Sequence, residues 1–166
     1  MKLALVQPSL RREWHLVRDD EIVAMLWIQL FRRSGAAEIG GRRLEIVRQG
    51  GLRSTHLVRD QATGEQLARL QSQGRKRVLE LGDRTAEWKR LGRRLGYGFV
   101  GPDGELLLRA KVNSGIARTN SEIEIADELP EPDALVAAVL ASFLLVRKAE
   151  EAASAAAGSV AATTSV

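Results

Sequence analysis

Apolar and polar residues alternate along most of this chain, and near its end they stop alternating. Leu44-Glu45-Ile46, Leu79-Glu80-Leu81 and Ile123-Glu124-Ile125 each place a glutamate between two aliphatic residues. A period of two puts the aliphatic side chains on one face of a strand and the acid on the other. Further apolar runs follow turn residues: Ile22 to Trp27 comes after Asp19, Gln66 to Leu70 after Thr63-Gly64, and Leu106 to Ala110 after Pro102-Asp103-Gly104. Strand, tight turn and strand predict β-hairpins over 15–27, 56–70 and 98–110.

Two of these hairpins share letters. His15-Leu16-Val17-Arg18-Asp19 returns unchanged 41 residues later as His56-Leu57-Val58-Arg59-Asp60, and 42 positions further on Gly98 opens a third copy in outline. Three modules of this kind predict roughly nine to twelve strands. A WD-type propeller has a similar period, but it closes with four to eight blades. Three linked modules curling into one barrel fit better, because closure removes exposed strand edges. Residues 83–95 break the pattern. Trp88, Leu91 and Leu95 have helical spacing while Gly92 opposes a helix and equally suits a bulged strand, so the stretch is expected to be an irregular connector.

The alternation ends after Pro130 and Pro132. From Ala134 to Val146 the chain is apolar on every side except Ser142, with Asp133 before the run and Arg147 and Lys148 after it. A helix over 133–148 is expected, with its termini suited to the helix dipole. A helix apolar all round is buried in protein or in lipid. The 13-residue run spans about 20 Å, whereas a membrane span needs about 20 apolar residues. Burial inside the barrel follows, with no transmembrane span expected. Residues 1–148 then form one domain, and the Ala/Ser/Thr-rich tail 149–166 is helical at first and then frayed.

The hairpins together with Ala138-Val139-Leu140-Ala141-Ser142-Phe143 resemble the tubby-like superfamily, which includes tubby C-terminal domains, phospholipid scramblases and plant LURP-one-related proteins. The likeness covers residues 12–148. It implies a mainly β fold: a closed barrel of about twelve strands, here from three repeated modules, filled by the apolar C-terminal helix. The basic lipid-binding motifs of tubby domains and the cysteine-rich features of scramblases are not found here, so neither activity transfers residue by residue.

Composition adds two constraints. The chain has no cysteine, which excludes disulfides and thiolate zinc sites and fits a reducing, cytoplasmic compartment. Met1 to Pro8 is too short an apolar stretch for a secretion signal. The net charge is +4, and 20 of the 25 basic residues are arginine. Arg75-Lys76-Arg77 and Lys89-Arg90 with Arg93-Arg94 gather seven cations within twenty positions. Such a patch attracts anionic lipid headgroups or phosphates. The seven aromatic residues do not form the stacking rows of single-strand binders, which argues against nucleic acid.

Catalytic and metal signatures are weak. Gly96-Tyr97-Gly98-Phe99-Val100-Gly101 fits G-x-G-x-x-G, but a turn and a strand follow where a dinucleotide site needs a helix. His15 and His56 fall on separate hairpins, and Ser54 and Ser121 lack nucleophile-elbow spacing. The acids Glu122, Glu124, Asp127, Glu128, Glu131 and Asp133 lack the spacing of a calcium loop. The expected function is a non-catalytic module without cofactor, docking on anionic phospholipid or a membrane-associated protein through the basic edge. A rigid scaffold in a larger assembly is the alternative, and a hydrolase ranks behind both.

Overall fold

The computed structural model describes residues 1–8, 12–29, 34–50, 54–92, 95–113 and 120–161. Its strands are β1 (Lys2–Val6), β2 (Glu13–Arg18), β3 (Glu21–Gln29), β4 (Ser34–Ile39), β5 (Arg42–Gln49) and β6 (Thr55–Asp60). They continue as β7 (Gln66–Gln73), β8 (Lys76–Leu81), β9 (Arg84–Gly92), β10 (Gly96–Val100), β11 (Leu106–Asn113) and β12 (Asn120–Ile125). One helix follows, α1 (Glu131–Ala161). Each strand pairs antiparallel with its sequence neighbour, and β1 pairs with both β2 and β12. The twelve strands therefore form a closed up-and-down barrel with no free edge.

The alternating segments lie as their pattern dictates. Leu44 and Ile46 of β5, Leu79 and Leu81 of β8, and Ile123 and Ile125 of β12 are buried. The interior also carries small residues: Ala24, Ala37, Ala68, Ala86 and Ala110 are buried on five different strands. Small side chains on the wall leave room for α1, whose residues from Ala134 to Val146 are all buried. Ser142 sits in that run, and its Oγ donates to the Ala138 carbonyl at 2.7 Å, which satisfies this hydroxyl within the core.

The helix starts two residues before the expected 133. Pro132 is tolerated in the first turn because its missing N–H is one that has no intrahelical partner there. The first closing bond runs from the Ala134 N–H to the Pro130 carbonyl at 2.8 Å. At the other end the helix continues through Ala161, beyond the barrel. No helix among the described residues is long and apolar enough to cross a membrane.

Two expectations need correction. Residues 84–92 are not a connector but the nine-residue strand β9, with Ala86 buried and Trp88 packed on the core. The two identical pentapeptides are not equivalent residue for residue. The register shift in the β2–β3 hairpin follows Leu16, whereas in β6–β7 it follows Val58, one letter later. A one-residue slip turns a strand's side chains to the other face. His15 consequently flanks the buried Trp14 and Leu16 and lies 2.6 Å from Glu13, while His56 turns inward against Phe143.

The G-x-G-x-x-G segment is the strand β10 up to Val100, and β11 follows it as a strand. A Cβ at Gly96 (φ +77°) would lie 2.2 Å from the Ala110 carbonyl oxygen. Backbone approach, not phosphate binding, accounts for that glycine.

Asp60 closes the β6–β7 hairpin. Its Oδ1 accepts from the Ala62 and Thr63 N–H groups at 2.8 and 3.1 Å, and its Oδ2 accepts from Arg42 Nε at 2.8 Å. The Thr63 N–H, then Arg42, then the Ala62 N–H hold its carboxyl below the usual carboxylate value. Because the folded pKa is the lower one, this contribution is fully present above the unfolded value of about 3.9. It is lost as pH falls through the folded value. Denaturant midpoints of wild type and Asp60→Asn should differ clearly at pH 7 and converge below about pH 4. A gap that stays constant down to pH 2 would exclude this role.

Candidate functional site: a basic barrel mouth

Six connections lie at the end of the barrel where α1 enters: β2–β3, β4–β5, β6–β7, β8–β9, β10–β11 and β12–α1. They carry Asp19, Asp20, Glu65, Asp83, Asp103, Glu105, Asp127 and Glu128. Several cations at this end have partners. Arg18 meets Glu131 at 2.7 Å, Arg42 meets Asp60 at 2.8 Å, and Arg84 donates to the Glu128 carbonyl at 3.3 Å. Three of the six acids from Glu122 to Asp133 are taken up in such pairs, Glu131 with Arg18 among them. Glu124 takes Arg109, and Asp127 takes the Met1 amine at 2.9 Å. Among the described residues no three His, Asp or Glu side chains gather as a metal site requires.

The opposite end has the reverse polarity. On β5, β7, β8 and β9 the inward-facing positions that are apolar at mid-barrel become polar as the strand reaches this end. On β5 the series runs Leu44, Ile46, Arg48; on β7 it runs Ala68, Leu70, Ser72. On β8, counted back from the buried Leu81 and Leu79, it arrives at Arg77, and on β9 it runs Ala86, Trp88, Arg90. Cross-strand pairing sets these side by side, with Arg48 opposite His56, Ser72 opposite Arg77 and Arg90 opposite Tyr97.

Together they wall a cavity of about 310 Å³, whose lining also includes Ser54 and the turn residue Arg75. Phe143 and Leu144 of α1 form its buried floor. As the helix leaves the barrel it adds Arg147, Lys148 and Glu151 to the rim. Six cations thus face one carboxylate, and that carboxylate is held by Arg147 at 3.0 Å. Next to it, burial pushes the Glu150 carboxyl up, partly offset by Arg12 and Arg147.

The predicted cations divide by strand parity. Arg75, Arg77 and Arg90 line the cavity. Among the described residues none of these three pairs with a carboxylate. Lys76 and Lys89 lie on the outer face, 3.5 and 3.3 Å from the shared Glu87. Arg93 and Arg94 lie outside the described residues. Sequence reasoning missed Arg48, although the alternation at Leu44 and Ile46 already puts it on the inward face. It also missed Arg147 and Lys148 as site residues, having read them only as partners of the helix dipole.

Like charges crowded into a concave wall oppose folding, and their field concentrates anions at the opening. Low-dielectric walls strengthen that field beyond what the same charges would give on a flat surface. Chemically the mouth is rich in donors: guanidinium forks, an ammonium and two hydroxyls, Ser54 and Ser72, whose Oγ atoms are 3.5 Å apart. No protein-family model, curated protein or solved structure matches this chain.

Proposed function

We propose that this is a non-catalytic, tubby-like binding module that docks its basic mouth on an anionic phospholipid surface. The observation that carries the reading is the convergence of Arg75, Arg77 and Arg90, none compensated by a described carboxylate, with Arg48, Arg147 and Lys148 in one opening. The acidic turns at the far end give the barrel an axial charge polarity that would orient it mouth-first on a negative surface. Twelve strands closed round an apolar C-terminal helix support the likeness to the tubby-like superfamily. In this reading the protein is cytoplasmic and peripheral at the membrane.

Co-sedimentation with neutral phosphatidylcholine vesicles and with phosphatidylserine-containing vesicles tests it. Binding should require the anionic lipid and weaken between low and moderate salt as the field is screened. Each basic residue near such a surface contributes about 1 kcal/mol. The triple reversal Arg75→Glu, Arg77→Glu and Arg90→Glu should therefore weaken binding by at least about 100-fold. Reversal of Lys76 and Lys89, on the outer face, should do far less. Equal binding to neutral and anionic vesicles, or a triple variant that still binds, would overturn the membrane reading and favour a protein scaffold.

A further inference from the structure

We infer that the mouth cavity seats a compact oligophosphate, a ligand with at least two phosphate groups and no aromatic base. The inference rests on the reading of the mouth as an anion site and specifies what fits within it. A membrane surface alone needs only exposed charge. Here the charge lines a recess of about 310 Å³ with a buried floor of Phe143 and Leu144. That volume is at the small end for ligand pockets, so a compact group can enter while a bulky one cannot.

The charge balance sets a minimum number of phosphates. Six cations line the recess against the single carboxylate of Glu151, and Arg75, Arg77 and Arg90 alone supply three positive charges with no described carboxylate against them. A phosphate monoester carries about −1.5 to −2 at neutral pH, so at least two such groups are needed to match the cavity. Guanidinium forks engage phosphate oxygens in pairs, which a flexible ammonium does not do. Ser54 and Ser72 add hydroxyl donors on the same wall.

The aromatic residues decide against a nucleobase. Trp88 stacks on Tyr97 with centroids 5.7 Å apart and planes 12° apart, and Phe99 packs on Trp88 at 4.8 Å. Lys148 Nζ sits 4.3 Å from the Tyr97 ring centroid. These rings are already engaged with protein partners, so a base would gain little by stacking. Recognition would rest on the phosphates.

Isothermal titration of the full chain with sodium tripolyphosphate, pyrophosphate, orthophosphate and ADP tests this. Tripolyphosphate and pyrophosphate should bind at least tenfold more tightly than orthophosphate, and ADP no more tightly than pyrophosphate. Arg77→Gln and Arg90→Gln should each weaken tripolyphosphate at least tenfold, with the circular dichroism of the variants confirming the fold. ADP binding tenfold tighter than pyrophosphate would overturn the inference, as would tripolyphosphate binding that survives both substitutions. A competition arm separates the sources. Tripolyphosphate that binds and displaces the protein from phosphatidylserine vesicles supports an oligophosphate seated in the same mouth that meets the membrane. Tripolyphosphate that binds a protein indifferent to vesicles supports a soluble oligophosphate and removes the membrane reading. Mouth-dependent vesicle binding without any tripolyphosphate binding would sink the seated ligand and leave surface docking intact.

Discussion

Leu140→Asp is expected to abolish the folded state. Leu140 is fully buried near the middle of the apolar run of α1, which is itself enclosed by the barrel. An ionised carboxylate there would have no water and no cation, at a cost of several kcal/mol even after relaxation. Protonation avoids the charge but still leaves a buried acid without partners, since the helix has used its own backbone groups. Loss of the leucine adds about 2–5 kcal/mol for the unfilled space. Domains of this size are stable by only about 5–15 kcal/mol, so the sum consumes most or all of it. Leu140→Met, which keeps the volume, should cost less than about 1.5 kcal/mol. Near-ultraviolet circular dichroism and thermal melts distinguish these outcomes. If Leu140→Asp melts cooperatively within a few degrees of the wild type, the helix does not fill the barrel in solution.

That helix and the mid-barrel wall were legible because both are governed by burial alone. The alternations at Leu44, Leu79 and Ile123 mark strands whose aliphatic residues share one core with α1, and the run from Ala134 to Val146 marks that helix. The reading failed wherever the inward face is not apolar. In β9 the inward series ends on Arg90, so polarity no longer reports parity, and the helical spacing of Trp88, Leu91 and Leu95 looked equally good. The same inversion hid Arg48 and left the inward Arg90 indistinguishable from the outward cations near it. Arg48 and Arg90 are inward residues that look outward by composition, while Lys76 and Lys89 look identical to them and lie on the outer face. The repeated pentapeptide concealed a different fact. A register shift moved by one residue separates His15 from His56, and nothing in the letters records it.

Phe143→Ala is expected to lower stability by about 3–5 kcal/mol, or roughly 6–20 °C in melting temperature. The ring is fully buried, meets His56 edge-on at 5.3 Å, and lies close to Gly35 of β4. A Cβ at Gly35 would lie an ordinary van der Waals 3.6 Å from Phe143 Cδ2, so the ring packs near the β4 wall. The ring also carries the Arg147 guanidinium 5.8 Å from its centroid, a cation–π contact of about 0.5–1 kcal/mol at such a partly exposed site. The position of the residue decides where in the range the loss falls. Phe143 floors the mouth, so the space left by its removal opens onto solvent through a polar recess and can fill with water. A dry void deeper in the barrel, below Leu140, would have no such relief. The lower half of the range is therefore expected, with Phe143→Leu losing less than half as much. Equilibrium denaturation of both variants measures this directly. A loss below about 1 kcal/mol for Phe143→Ala would mean that the helix does not reach the mouth, and the floor of the anion site would have to be sought elsewhere.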